Sequence, residues 1–339
     1  MKNIAKNILQ WGIAGGILVL SLWWAFYDIE LEAMKGVLSN VNYYIALIPI
    51  PIVLFSHWIR AYRWKTFLEP IKKIDSTWNL FSAVMILYAI NTVTSRAGEF
   101  VRPYVVSKRE KISYSSTFGT IILERVVDVI TLIIVFGITF LFLSQDIAKV
   151  LPANVNPSSI IIISFLIIAV GLLNLYPPFL DFMLRNLLKP ISEKFYQKAS
   201  GIFERFKKGL YILKNPSKYL RIGLLSLLIW VFYALPIYIT FFAFDFQNEL
   251  NLGFVDATML VIVAGIAVTI APSPGGAGVY HLFMQKSLVN LYNVDPTTAL
   301  AFATVVHGIS TVTQTVVGFL FFKREGLTSF KIKKDEEDS

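Results

Sequence analysis

Three clusters of residues hold the chemistry this sequence can offer. The first is Arg96-Ala97-Gly98-Glu99-Phe100-Val101-Arg102-Pro103. Arg96, Glu99 and Arg102 recur at every third position and would share a face on a helix. Gly98 permits close backbone approach, and Pro103 is expected to end or redirect the segment. Two arginines around one glutamate leave net positive charge. Guanidinium forks suit phosphate oxygens, so a phospholipid headgroup is the ligand this motif indicates. The plainer alternative is a salt-bridged cytoplasmic turn.

The second cluster is Glu124-Arg125-Val126-Val127-Asp128, at the head of an apolar run. Glu124 and Asp128 are one helical turn apart, and Arg125 is three residues from Asp128. Charges at a lipid-buried helix face inward and pair, so Arg96 or Arg102 is the expected partner. A structural ion network and a translocation role fit this cluster equally well.

The third cluster is Pro272-Ser273-Pro274-Gly275-Gly276-Ala277-Gly278. Its prolines and glycines must interrupt a helix. A new helix starting near Gly276 would aim its N-terminal N–H groups at an anion; a plain loop is the alternative. His281 follows on that helix, and His307 lies in a later apolar run. Facing one cavity, the two histidines could bind phosphate or relay protons; packed in a core, they do neither. His57, Arg60 and Trp64 read as anchors at a membrane interface.

The elements that position these clusters are membrane helices. Of 339 residues, 55% are hydrophobic and only 16% charged, and the mean hydropathy is +0.63. Soluble domains carry about 25% charged residues. There is no cysteine, which excludes disulfides and thiolate metal sites. No P-loop, Gly-x-Ser-x-Gly or His-Glu-x-x-His pattern occurs. The expectation is therefore a non-enzyme without cofactor or metal. Spans of about 20 apolar residues are expected at 8–27, 41–59, 126–143, 159–176, 221–244 and 297–322. The first follows Lys2 and Lys6 and ends in Trp23-Trp24-Ala25-Phe26-Tyr27. Those bulky residues suit a retained span better than a cleaved leader.

Lysine and arginine set the orientation. They concentrate at the N-terminus and in 60–78, 95–125, 177–221 and the tail, with none in 245–253. The positive-inside rule places the rich stretches, and both termini, in the cytoplasm. The net charge of +9 is thereby explained by topology, and no nucleic-acid partner is expected. Both flanks of 79–95 are then cytoplasmic, so it cannot cross. The expectation is a re-entrant hairpin that turns near Arg96–Pro103 and returns through 112–125; 112–143 has no strong break, and one long helix is the alternative there. A second hairpin, 254–271 and 278–292, would enter from outside. Short tilted spans are the alternative at both places.

The predicted fold class is therefore an all-α polytopic membrane protein. It has about six full spans plus two oppositely oriented re-entrant hairpins. Each half, 8–143 and 159–322, reads as span, span, hairpin, span. That is the inverted-repeat layout of transporters whose sites lie where broken helices meet. Residues 1–324 form one transmembrane domain and 325–339 a short charged cytoplasmic tail. Within 190–214, Ile191, Phe195, Ala199, Ile202, Phe206 and Leu210 make an apolar stripe beside lysines and arginines. A helix lying among inner-leaflet headgroups is expected there.

Arg96-Ala97-Gly98-Glu99-x-x-Arg102, Glu124-Arg125-x-x-Asp128 and Pro272-x-Pro274-Gly275-Gly276-x-Gly278-Val279 resemble, in order, motifs of the lysylphosphatidylglycerol synthase transmembrane, or flippase-like, family. The resemblance covers about residues 8–324. It implies a multi-pass protein of a prokaryotic inner membrane that moves lipids between leaflets. The implied ligand is an anionic phospholipid or lipid phosphate. Residues 96, 98, 99, 102, 124, 125, 128, 272, 274, 275, 276, 278, 281 and 307 would form the path. His281 and His307 stand where members often have an acidic residue and an arginine. The family's synthases add a soluble C-terminal aminoacylating domain. This sequence shows none, so the expectation is a stand-alone member, working alone, as a homo-oligomer or with a separate synthase. A membrane transferase acting on a lipid or polyprenyl phosphate and a non-transporting lipid-handling partner are the competing readings.

Overall fold

The computed structural model describes residues 2–27, 29–150 and 215–325, with isolated residues between 182 and 204. The expected span 159–176, the helix expected over 190–214 and the tail beyond Glu325 lie outside the described residues. Among those described, the chain is helical and has no strand. The helices are α1 (Lys2–Phe26), α2 (Leu31–Ser39), α3 (Tyr43–Leu47), α4 (Pro49–Leu68), α5 (Thr77–Val93), α6 (Gly98–Glu110), α7 (Tyr114–Val150), α8 (Tyr219–Ala243), α9 (Phe246–Glu249), α10 (Phe254–Ile270), α11 (Val279–Tyr292) and α12 (Pro296–Arg324).

Four helical stretches among the described residues are long and apolar enough to cross a membrane: Tyr43–Leu68, Tyr114–Leu143, Pro216–Ala243 and Pro296–Arg324. Two of them run further than their hydropathy suggests. The helix expected to stop at 59 continues to Leu68, and the one expected from 126 begins at Tyr114. Residues 114–125 are thus the first part of α7 and not a separate return arm; helical geometry fails only at Leu143. The start of α12 matches its sequence signal. Asp295 accepts from the N–H groups of Thr297 and Thr298, both at 3.0 Å, and Pro296 opens the helix. Ser76, at the N-cap of α5, makes no such bond.

Both regions fold as pairs of helices joined at a turn, the first with α6 and not 112–125 as its second arm. Helix α5 turns at residues 94–97 and comes back as α6; α10 breaks at 271–278 and comes back as α11. Helices α5 and α10 have 17 residues each. At 1.5 Å per residue that is about 25 Å, short of the ~30 Å hydrocarbon core. Pro103 does not end its segment, since α6 continues through it to Glu110. Arg102, Val105 and Val106 are buried around it, and that packing outweighs the lost backbone bond.

The packing has an internal symmetry. Helix α4 lies on α8. Helix α5 packs on α4, α6 and α12, while α10 packs on α8, α11 and α7; α6 meets α7, and α11 meets α12. Exchanging α4 with α8, α5 with α10, α6 with α11 and α7 with α12 maps this set of partners onto itself. Two apolar clusters follow the same division. One is built mainly from α4–α7 around Trp64, Phe67 and Met85, the other from α8–α12 around Phe241, Phe246 and Phe302.

The first hairpin closes on a glycine. A Cβ at Gly98 would lie 2.3 Å from the carbonyl oxygen of Leu87 and 2.8 Å from Asn91 Oδ1. The Gly98 N–H donates to that same Asn91 oxygen at 2.9 Å. Because the obstructing atom is backbone, Gly98→Ala should cost about 1–3 kcal/mol as α6 is pushed off α5. Thermal unfolding in detergent would show it, and an unchanged midpoint would contradict so close an approach.

Candidate functional site

The tips of the two hairpins touch. Arg96, at the first tip, has φ of 85° and lies outside α6. It therefore does not share a helical face with Glu99 and Arg102. Its guanidinium reaches the other hairpin instead, donating to the carbonyls of Val268 and Thr269 at 3.3 and 3.0 Å. Those are orphan acceptors in the last turn of α10, where positive charge is favoured. From the opposite side, a Cβ at Gly275 would sit 3.3 Å from the carbonyl of Thr92. Gly275 has φ of 62°, a conformation only glycine adopts without strain.

Beneath the tips lies a cavity of about 640 Å³, walled by α4, α5, α6, α7, α8, α10, α11 and α12. Of the residues singled out from the sequence, Arg96, Glu99, Arg125, Pro272, Gly275, Gly276 and His307 line it. His57, Arg60, Tyr88, Tyr233 and Gln314 line it too and were not predicted.

Behind the charged wall is a buried ion network. Glu124 is fully buried and accepts from Arg60 Nε at 2.8 Å, from Arg102 Nη1 at 3.2 Å and from Arg102 Nη2 at 2.8 Å. The Arg102 guanidinium, itself fully buried, lies 3.8 Å from the centre of the Trp64 ring. Trp64 Nε1 donates to Thr120 Oγ1 at 2.9 Å. Asp128 holds Arg63 at 2.5 Å and approaches Arg60 at 3.6 Å; Arg63 also donates to Ser226 at 2.8 Å. Arg125, at the cavity, lies 3.6 Å from Glu99, 3.8 Å from Glu124 and 3.7 Å from Asp128. Four arginines thus surround three carboxylates, leaving the wall net positive.

The interface-anchor expectation for His57, Arg60 and Trp64 is overturned. They are 2%, 7% and 0% exposed. Arg60 Nη1 donates to Tyr88 at 2.8 Å and Tyr233 at 3.3 Å, and His57 Nε2 pairs with Gln314 at 3.1 Å. The missed signal is spacing. His57, Arg60, Arg63, Trp64 and Phe67 continue one helical face past the end of the apolar run, with no breaker before Pro70.

The second break departs from expectation in its helix start. Helix α11 begins at Val279, not near Gly276. The Gly278 N–H lies 3.4 Å from His281 Nδ1, and a Cβ at Gly278 would meet the Leu18 carbonyl of α1 at 2.8 Å. This helix end therefore abuts α1 at Gly278, while Tyr280 in its first turn lines the cavity. Pro274, Gly278 and His281 lie off the cavity wall; Gly98, Arg102, Glu124 and Asp128 support it from behind. His307 Nε2 lies 2.9 Å from the Gly275 carbonyl and 3.2 Å from Thr311 Oγ1, and its ring centre is 4.8 Å from that of His281. No group of three or more acidic or histidine side chains suited to a metal occurs among the described residues.

This geometry offers guanidinium donors at the edge of a cavity, fixed from behind by buried carboxylates. That chemistry suits a phosphate. A family model described as the lysylphosphatidylglycerol synthase TM region matches residues 9–318. The glycosyltransferase AglD of Haloferax volcanii is 26% identical over 334 residues, covering 90% of this chain and 53% of that protein. The chain thus spans about half of that relative's length. A UPF0104 membrane protein of Pyrococcus horikoshii is 26% identical over 322 residues, covering 89% of this chain and 92% of the relative. One from Methanocaldococcus jannaschii is 25% identical over 237 residues, covering 70% and 93%. No solved structure matches the chain.

Proposed function

Because the chain belongs to the lysylphosphatidylglycerol synthase TM region family, we propose that it is a flippase-like transporter that moves a lipid-phosphate headgroup between leaflets. One observation carries this reading: the interrupted segments of both halves converge on a single arginine-lined cavity. Arg60, Arg96 and Arg125 attract the phosphate, and Glu124 and Asp128 hold the guanidiniums in place. The acyl chains stay among the exposed apolar helix faces. The hairpins α5–α6 and α10–α11 are re-entrant and enter from opposite sides. The protein lies in a cell's inner membrane with both termini cytoplasmic. Lys108→Cys, on the exposed end of α6, should then label from the cytoplasmic face; labelling only from outside would reverse the orientation.

The decisive assay uses proteoliposomes with headgroup-labelled phospholipid and a membrane-impermeant quencher. The reconstituted chain should bring inner-leaflet label to the quencher faster than protein-free liposomes do. Equal rates for every phospholipid tried would end this reading. The name of the Haloferax relative favours a second one, a transferase acting on a lipid phosphate, although that protein is about twice as long as the matched region. A new lipid product that depends on a divalent metal would support the transferase.

A further inference from the structure

Two opposite kinds of unsatisfied polar atom meet at the charged wall of the cavity. Arg60 Nη2 and Arg125 Nε and Nη2 are buried and have no hydrogen-bond acceptor among the described residues. Glu99 Oε2 is buried and has no donor among them. All three residues line the cavity, and Arg60 is only 7% exposed. Buried polar atoms without partners are uncommon, and each asks for an explanation. The internal remedy is absent. Glu99 Oε1 and Arg125 Nη2 are 3.6 Å apart, near enough to attract but too far to hydrogen-bond.

A phosphate diester satisfies only half of this arrangement. Its oxygens accept from Arg60 and Arg125, but it has no proton to offer Glu99 and repels that carboxylate. The wall is complementary to a group that accepts at one end and donates at the other. We propose that the site selects headgroups bearing a hydrogen-bond donor, an ammonium or a hydroxyl, beside the phosphate, and that Glu99 is the acceptor that sets this specificity. The inference rests on the lipid-phosphate reading above and narrows it.

The test compares two phospholipids with the same chains and the same phosphate. Phosphatidylethanolamine carries N–H donors; phosphatidylcholine carries three methyl groups in their place. A hydrogen bond to a charged group is worth enough to favour the ethanolamine lipid about tenfold or more in initial translocation rate. Glu99→Met removes the acceptor and should bring the ratio near one. Glu99→Gln keeps a neutral acceptor and should fall between; it also stands in if the Met variant fails to fold. Phosphatidylglycerol, with hydroxyl donors only, should resemble the ethanolamine lipid. In competition, soluble phosphoethanolamine should inhibit and phosphocholine should not.

Equal rates for the two lipids in the parent protein, with translocation intact, overturn the selectivity and leave the transport reading standing. A preference that survives Glu99→Met overturns the assignment to Glu99, and equal competition by the two soluble headgroups overturns the donor requirement. Loss of translocation for every lipid in the parent protein instead removes the reading on which this inference rests.

Discussion

Replacing Glu124 with alanine should cost about 3–5 kcal/mol of folding stability, the usual penalty for removing one partner of a buried ion pair. Glu124 is the only carboxylate in contact with Arg102 among the described residues. Arg102 is fully buried, enclosed by Trp64 and the α4–α7 cluster. Without Glu124 its charge has no carboxylate in contact among the described residues and no route to water. Arg60 also loses its closest carboxylate, although Asp128 remains 3.6 Å away. The variant should unfold in detergent well below the parent protein or be recovered aggregated. Trp64 provides a local reporter because the Arg102 guanidinium covers its ring. Replacing both members with methionine should recover much of the loss, since neither charge is then stranded. A Glu124→Ala variant within about 1 kcal/mol of the parent would mean that the pair behaves like an exposed one, and the buried network would lose its role as scaffold.

How much of this site the sequence reveals depends on how local each interaction is. The Pro272–Gly278 break is legible because backbone chemistry acts where it stands. Gly275, Gly276 and Gly278 all take positive φ, as helix-breaking glycines should. The cap at Asp295 is legible for the same reason. Arg60 and Arg63 are not. Hydropathy ends a span at its first charges, but α4 runs on because carboxylates 64 and 65 residues later in the chain neutralise them. One sequence shows charges without showing which pairs meet. The pairing of Glu124 with Arg102 was within reach because both lie in motifs already marked by composition; Arg96 was misplaced because its partners are backbone carbonyls of α10. Backbone acceptors leave no residue signature.

The return arm of the first hairpin failed for a related reason. Pro103 reads as a stop, and the charges of 124–125 read as a segment boundary. In the fold Pro103 is carried by the packing of Val105 and Val106, and Glu124 is carried by four arginines. Tertiary contacts override both local signals. The same contacts join the halves into one site, because α5 crosses α12 and α10 crosses α7. Each hairpin is therefore packed against the last long helix of the other half, and Arg96 ties the two tips together.

Arg125→Ala should separate function from stability in the direction opposite to Glu124→Ala. The Arg125 side chain is 43% exposed, and its three carboxylate neighbours stand 3.6 to 3.8 Å away. Ion pairs of that exposure are worth about 0–1 kcal/mol, so the unfolding midpoint should move little. Its Nε and Nη2 have no acceptor among the described residues, and the residue lines the cavity. Losing a charge-assisted bond of about 1.5–3 kcal/mol to a phosphate would slow translocation about 10- to 150-fold. The same change leaves Glu99 and Asp128 less compensated beside the cavity, which further repels an anion. Arg125→Lys restores the charge without the planar fork and should recover only part of the rate. Initial rates in proteoliposomes, set beside unfolding midpoints in detergent, decide the matter. A variant that unfolds as readily as Glu124→Ala would make Arg125 part of the scaffold. A variant that transports at the parent's rate would remove the cavity's arginine edge from the path of the headgroup.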